Sequence, residues 1–181
     1  MTETPLTPHI ALIGAGYWGK NLVRNFHQLG VLKTICDGAQ PIREEMSKAY
    51  PDTIITANVS DVLKDNDILG VVIAAPAALH FEIAEKALQA GKHVFVEKPL
   101  SLTRGDGEKL VRLAAEKQKT LFVGHILHYH AAVIRLKEMI RRRLKRLPLS
   151  PIQRAGMFLS ALQIPERSSA SNLATRRSRN G

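Results

Sequence analysis

Three glycines and an acid carry the first chemical signal in this sequence. Gly14, Gly16 and Gly19 stand in GAGYWG, directly after the apolar run HIALI and at the head of the helix-like stretch WGKNLVRNFHQLG. A strand, a glycine turn and a helix together make the arrangement that holds a dinucleotide pyrophosphate. Gly14 allows the tight turn, Gly16 lets backbone approach phosphate, and Gly19 lets the helix lie close on its strand. The free N–H groups and partial positive charge of the helix N-terminus then face the phosphates. Asp37 closes the next apolar run, LKTICD, eighteen residues beyond Gly19. That is close to the spacing of an acid that hydrogen-bonds the ribose hydroxyls; the blander reading is a turn aspartate.

These groups need strands and helices to hold them. Up to about residue 140, apolar runs alternate with amphipathic stretches. Strands are expected over 9–13, 32–36, 53–56, 68–74, 93–96 and 121–123. A helix is expected over 18–29, with Trp18, Leu22, Phe26 and Leu29 on one face. Further helices are expected from Pro41 through REEMSKAY, over DVLKD with Ser60 as its cap, and over 78–90, ended by Gly91. The last two are expected over 103–119, with Leu110, Leu113 and Ala114 inward, and over 131–140. The run ILGVVIA is apolar throughout, as in a parallel strand covered on both faces. Six strands alternating with helices predict an α/β fold, a Rossmann-type doubly wound parallel sheet with right-handed crossovers.

Ligands bind such sheets beyond the carboxyl ends of the strands. The residues that matter therefore follow the strands: GAGYWG, Asp37, AAPAALH (74–80), EKP (97–99) and GHILHYH (124–130). His125, His128 and His130 suggest a metal, but a strand-to-helix junction offers no tetrahedral spacing and no fourth ligand is apparent. No metal site is expected.

Composition limits the remaining classes. At 181 residues, the chain has room for one good core and the start of a second domain. The N-terminal MTETPLTPHI lacks the basic region of a signal peptide. The longest apolar run, 68–79, contains Gly70 and Pro76 and is too short to span a bilayer. Cys36 is the only cysteine, which excludes an intrachain disulfide and fits a reducing cytoplasm. It reads as a small hydrophobe at a strand end, since no activating base lies near it in sequence. The formal net charge of +10 is uneven: residues 1–140 carry +1, whereas 141–181 carry +9, with Glu166 their only acid.

GAGYWGKNLVRNF, the AAP…H segment, VFVEKPLS and the GHILHYH segment together resemble the Gfo/Idh/MocA family of NAD(P)-dependent oxidoreductases, over roughly residues 8–140. That family acts mostly on sugars, sugar alcohols and nucleotide sugars. The tryptophan of the glycine motif and GKNLVRNF are most similar to the branch acting on UDP-linked amino sugars. The resemblance implies that Gly14, Gly16, Tyr17, Trp18 and Gly19 form the pyrophosphate loop and that Asp37 binds the adenosine ribose. A carboxylate there repels a 2′-phosphate, so NAD is expected over NADP. Ala75, Pro76 and His80 would line the cofactor towards the nicotinamide, and Glu97 would join the cofactor site. Lys98 would be the catalytic lysine beside the substrate hydroxyl, stabilising charge on its oxygen or relaying its proton. Pro99 favours extended backbone at Lys98, which helps aim its side chain out of the sheet. Lysine after a strand is otherwise an ordinary solvated charge. Where the family more often has arginine near position 128 and proline near 131, this chain has His128 and Ala131.

Three segments are expected: an extension over 1–8, an NAD-binding domain over 9–140 and a basic irregular tail over 141–181. Family members continue into a substrate domain that also mediates oligomerisation, and nothing in the tail matches it. The expectation is therefore a frameshift or truncation near Arg141, an absent oligomer interface, and retained nucleotide binding with little turnover on a sugar or nucleotide-sugar. Two other readings compete: a non-catalytic NAD-binding module, or a nucleic-acid-associated protein whose tail neutralises phosphates. The tail's single aromatic, Phe158, offers little for base stacking and counts against the latter.

Overall fold

The computed structural model describes residues 9–145, with side chains to Arg142. The extension over 1–8 and most of the expected basic tail, from residue 146 on, lie outside the described residues. The chain divides into two compact units between His125 and Ile126.

The first unit alternates strands and helices. β1 (His9–Ile13), β2 (Leu32–Cys36), β3 (Ile54–Thr56), β4 (Ile68–Ile73), β5 (His93–Val96) and β6 (Leu121–Val123) interleave with five helices. These are α1 (Gly19–Gln28), α2 (Gln40–Ala49), α3 (Val59–Lys64), α4 (His80–Gln89) and α5 (Arg104–Glu116). All six strands are parallel, in the order β3-β2-β1-β4-β5-β6. Sequential strands step outward one way from β1, then the chain crosses to β4 and steps outward the other way. The switch point lies between β1 and β4, where Ala11 pairs with Val71 and Ile13 with Ile73.

Side-chain alternation divides the core between the two faces of the sheet. Ala11, Ile13, Val71, Ile73, Val94 and Val96 pack towards α3, α4 and α5, which contribute Val62, Ile83, Leu88, Leu110 and Ala114. Leu12, Ile35 and Val72 face the other way, against Val23 of α1 and Met46 of α2. Burial on both faces explains the continuously apolar β4.

Several boundaries differ from the sequence expectation. α1 buries Gly19 and Val23, with Leu22 and Phe26 partly covered, while Trp18 and Leu29 are 43% and 70% exposed. Trp18 caps the helix instead of lying on its packed face, and Leu29 lies in the turn before Gly30. α3 is capped at Asn58, not Ser60. There the Thr56 hydroxyl accepts from the Asn58 amide and donates to the Asp61 carboxylate. The expected helix over 78–90 is two elements, a 3₁₀ turn (Ala77–Leu79) set by Pro76 and then α4. Thr103 caps α5 by accepting from the Asp106 amide, and its hydroxyl donates to the Asp106 carboxylate.

In the second unit a 3₁₀ turn (Ile126–Tyr129) precedes α6 (Ala131–Lys145), which runs past the expected end at Ile140. His130 accepts from the Ala132 amide through Nδ1 at the start of that helix. Among the described residues no helix is long and apolar enough to cross a membrane.

Candidate functional site

The carboxyl ends of the strands in the first unit bring the singled-out segments to one edge: residues 14–19 after β1, Asp37 after β2, Ala75 and Pro76 after β4, Glu97 to Pro99 after β5, and Gly124 after β6.

The glycines of the loop differ in what holds them. Gly14 has φ +94°, and a Cβ there would lie 2.6 Å from the Ala75 nitrogen and 2.7 Å from the Ala74 carbonyl carbon. The neighbouring β4 chain therefore demands glycine at 14. A Cβ at Gly19 would collide with the Gly14 carbonyl, so the close approach of helix and turn demands glycine there too. Among the described residues nothing lies within 4 Å of a Cβ built at Gly16. The fold does not explain that glycine; an approaching ligand would. The amides of Gly16, Tyr17 and Trp18, directly before α1, have no protein acceptor among the described residues. Free N–H groups at a helix N-terminus can receive an anionic group. Tyr17, at the loop tip, is 95% exposed.

Asp37 stands beside this loop. Its Oδ2 accepts from the Ala15 amide at 2.7 Å and its Oδ1 from the Ala39 amide at 2.8 Å. Each carboxylate oxygen can accept a second donor, so Asp37 offers two acceptors already fixed in place. Arg43, which sequence reasoning missed, clamps the same corner: its guanidinium donates to the Asp37 and Gly38 carbonyls. Its signal was faint, a cation six residues after the acid on the first turns of the next helix.

Lys98 is exposed at the end of β5, and its ammonium has no partner among the described residues. The Lys98–Pro99 peptide is cis. Buried polar side chains hold the segment on either side. Glu97 is buried; it accepts from the Trp18 indole N–H through Oε1 at 2.9 Å, and its Oε2 lies 3.3 Å from the Lys98 amide. His80 is buried with Nδ1 2.6 Å from the Pro99 carbonyl oxygen and Nε2 2.7 Å from that of Ala75. His80 and Glu97, expected along the cofactor, thus have their polar atoms engaged by the protein. Gly124 is a second residue the sequence reading left without a role. A Cβ there would lie 3.0 Å from both Glu97 carboxylate oxygens. A glycine directly after a strand was its only mark.

The remaining singled-out residues have structural explanations. Cys36 is fully buried, and burial, aided by the Asp37 charge, pushes its thiol up to about 11. That keeps it protonated and unreactive at neutral pH. His128 Nδ1 lies 3.4 Å from the Lys137 ammonium. Among the described residues no group of three or more His, Cys, Asp or Glu is placed to hold a metal.

Known proteins share this architecture. UDP-N-acetylglucosamine 3-dehydrogenase of Acidithiobacillus ferrooxidans is 29% identical over 132 residues, covering 70% of this chain and 40% of that protein. Its solved structure aligns with a TM-score of 0.66. Biliverdin reductase of Synechocystis sp. PCC 6803, solved with biliverdin and NADP+, is 31% identical with a TM-score of 0.67, over 79% of this chain and 44% of that one. GenD2 of gentamicin A biosynthesis, solved with NAD, is 25% identical with a TM-score of 0.69, over 76% and 40%. The chain spans about two fifths of the length of these relatives. Residues 9–125 match the model of the oxidoreductase family with an NAD-binding Rossmann fold, and the chain accordingly belongs to the Gfo/Idh/MocA family.

Proposed function

We propose that residues 9–125 bind NAD, and that the activity built on this site is hydride transfer between a sugar or nucleotide-sugar hydroxyl carbon and the nicotinamide. The observation that carries the reading is Gly16. Among the described residues no packing fills the space at Gly16, and the three amides beside it have no acceptor, with the Asp37 carboxylate next to them. The loop amides would take the pyrophosphate, and Asp37 the adenosine ribose. Its charge disfavours a 2′-phosphate, which supports NAD over NADP; family structures hold either dinucleotide. When bound, the nicotinamide supplies the hydride acceptor.

Oxidising an alcohol carbon also releases the hydroxyl proton. Lys98, exposed beyond β5 and without a partner among the described residues, would stabilise the negative charge growing on that oxygen or relay its proton. Similarity to UDP-N-acetylglucosamine 3-dehydrogenase supports a UDP-linked amino sugar as the substrate class. Little turnover is expected from this chain alone. The reaction needs the substrate carbon held against the nicotinamide, and the chain spans only about two fifths of the length of the relatives it matches.

An assay for NADH formation from NAD and UDP-N-acetylglucosamine tests this. The expected result is saturable NAD binding with turnover near background. Sustained turnover that disappears in Lys98→Ala would overturn the low-turnover part while upholding the role of Lys98. Sustained turnover unchanged in Lys98→Ala would overturn that role.

A further inference from the structure

Glu97 is a carboxylate that the fold buries and then shares between two segments. One oxygen takes the indole N–H of Trp18, which lies 79 residues earlier and directly precedes α1; the other faces the Lys98 amide. Gly124 roofs the pair so closely that a single methyl group there would press on both oxygens. A carboxylate this buried must keep its donors, so a movement of Trp18 has to be followed by Glu97. The space beneath Gly124 leaves the carboxylate few places to go, and the Lys98 amide lies at its other oxygen.

Resting on the reading that the glycine loop holds a dinucleotide, we propose that Glu97 is a positioning residue. It ties that loop to Lys98 through Trp18, so that filling the loop and setting the lysine are one event. Glu97 itself does not touch the dinucleotide. By linkage, disturbing the Lys98 end must weaken dinucleotide binding as much as losing the dinucleotide disturbs Lys98.

The test uses the full 181-residue chain, and its first arm needs no cofactor. Trp18 is the only tryptophan, so its emission reports its own hydrogen bond. Glu97→Ala should shift that emission to the red as the indole N–H turns to water. Glu97→Gln, which keeps an acceptor oxygen and is less apt to unfold, should stay close to wild type. In protein labelled with nitrogen-15 lysine, the Lys98 amide (identified by its loss in Lys98→Arg) should move in Trp18→Phe. Unchanged emission in Glu97→Ala, or an unmoved Lys98 amide, would overturn the tether.

The second arm measures NADH affinity through the nucleotide's own fluorescence. Trp18→Phe and Glu97→Ala should each weaken binding about tenfold, and the double variant no further than the weaker single one, since both remove the same link. Gly124→Ala should reproduce the loss. Losses that multiply in the double variant would overturn the coupling while leaving the dinucleotide reading intact. Absence of NADH binding by folded wild-type protein would overturn both.

Discussion

A methyl group at Gly14 and one at Gly16 should do opposite things. At Gly14 it meets the β4 backbone at 2.6 Å in a residue with positive φ. Gly14→Ala is expected to cost at least about 2 kcal/mol in urea unfolding. At Gly16 it meets nothing among the described residues. Gly16→Ala should leave stability within about 0.5 kcal/mol yet weaken NADH at least about tenfold, because the methyl stands where phosphate must approach. Equal NADH affinity in wild type and Gly16→Ala would count against the site. Cys36 offers a separate check. Its folded value near 11 exceeds the ordinary 9.0, so its neutral form stabilises the fold fully below about pH 9. That contribution is lost as pH rises through 11. The stability difference between wild type and Cys36→Ala should therefore shrink between pH 9 and 11, and a thiol reagent at pH 7 should label the protein no faster than it unfolds. At this scale the glycines and Asp37 were legible because their backbone roles follow from spacing alone. The partners of Trp18, His80 and Glu97 were not, since each contact joins residues on different elements.

The elements were legible as alternation and less so at their ends. β4 was recoverable because burial on both faces leaves a long apolar run, whereas the three-residue β3 and β6, with no buried residue, were recoverable only as short apolar runs between helices. The 3₁₀ turn after Pro76, the Asn58 cap and the late end of α6 depend on local hydrogen bonds that periodicity does not encode. Two links between elements carry predictions. His80, at the start of α4, holds the segments after β4 and β5 together. His80→Ala should cost about 2–4 kcal/mol through the lost hydrogen bond and the cavity; a change under about 0.5 kcal/mol in chemical denaturation would contradict the clamp. On the opposite edge of the sheet, Lys33 of β2 bridges Asp65 and Asp67, which lead into β4. The Lys33 ammonium holds the Asp65 carboxyl below its usual 3.8. Its stabilisation is therefore present above 3.8 and lost as pH falls through the folded value. Asp65→Asn should cost about 0.5–1 kcal/mol at pH 7, and the gap to wild type should close in acid unfolding experiments.

At the scale of the whole molecule, the strand order puts the switch point between β1 and β4, the position where a doubly wound sheet opens a crevice for its ligand. That location was legible in the sequence, because the glycine motif follows the first strand. The substrate was not. The chain spans about two fifths of its relatives, and substrate recognition leaves no periodic trace in residues 9–125. Whether this unit takes a dinucleotide decides its function. The direct measurement is a titration of the purified chain with NADH and NADPH, read by quenching of Trp18. The expected result is saturable quenching that favours NADH and is weakened about tenfold by Asp37→Ala. No quenching by either nucleotide, in protein shown folded by circular dichroism, would contradict it.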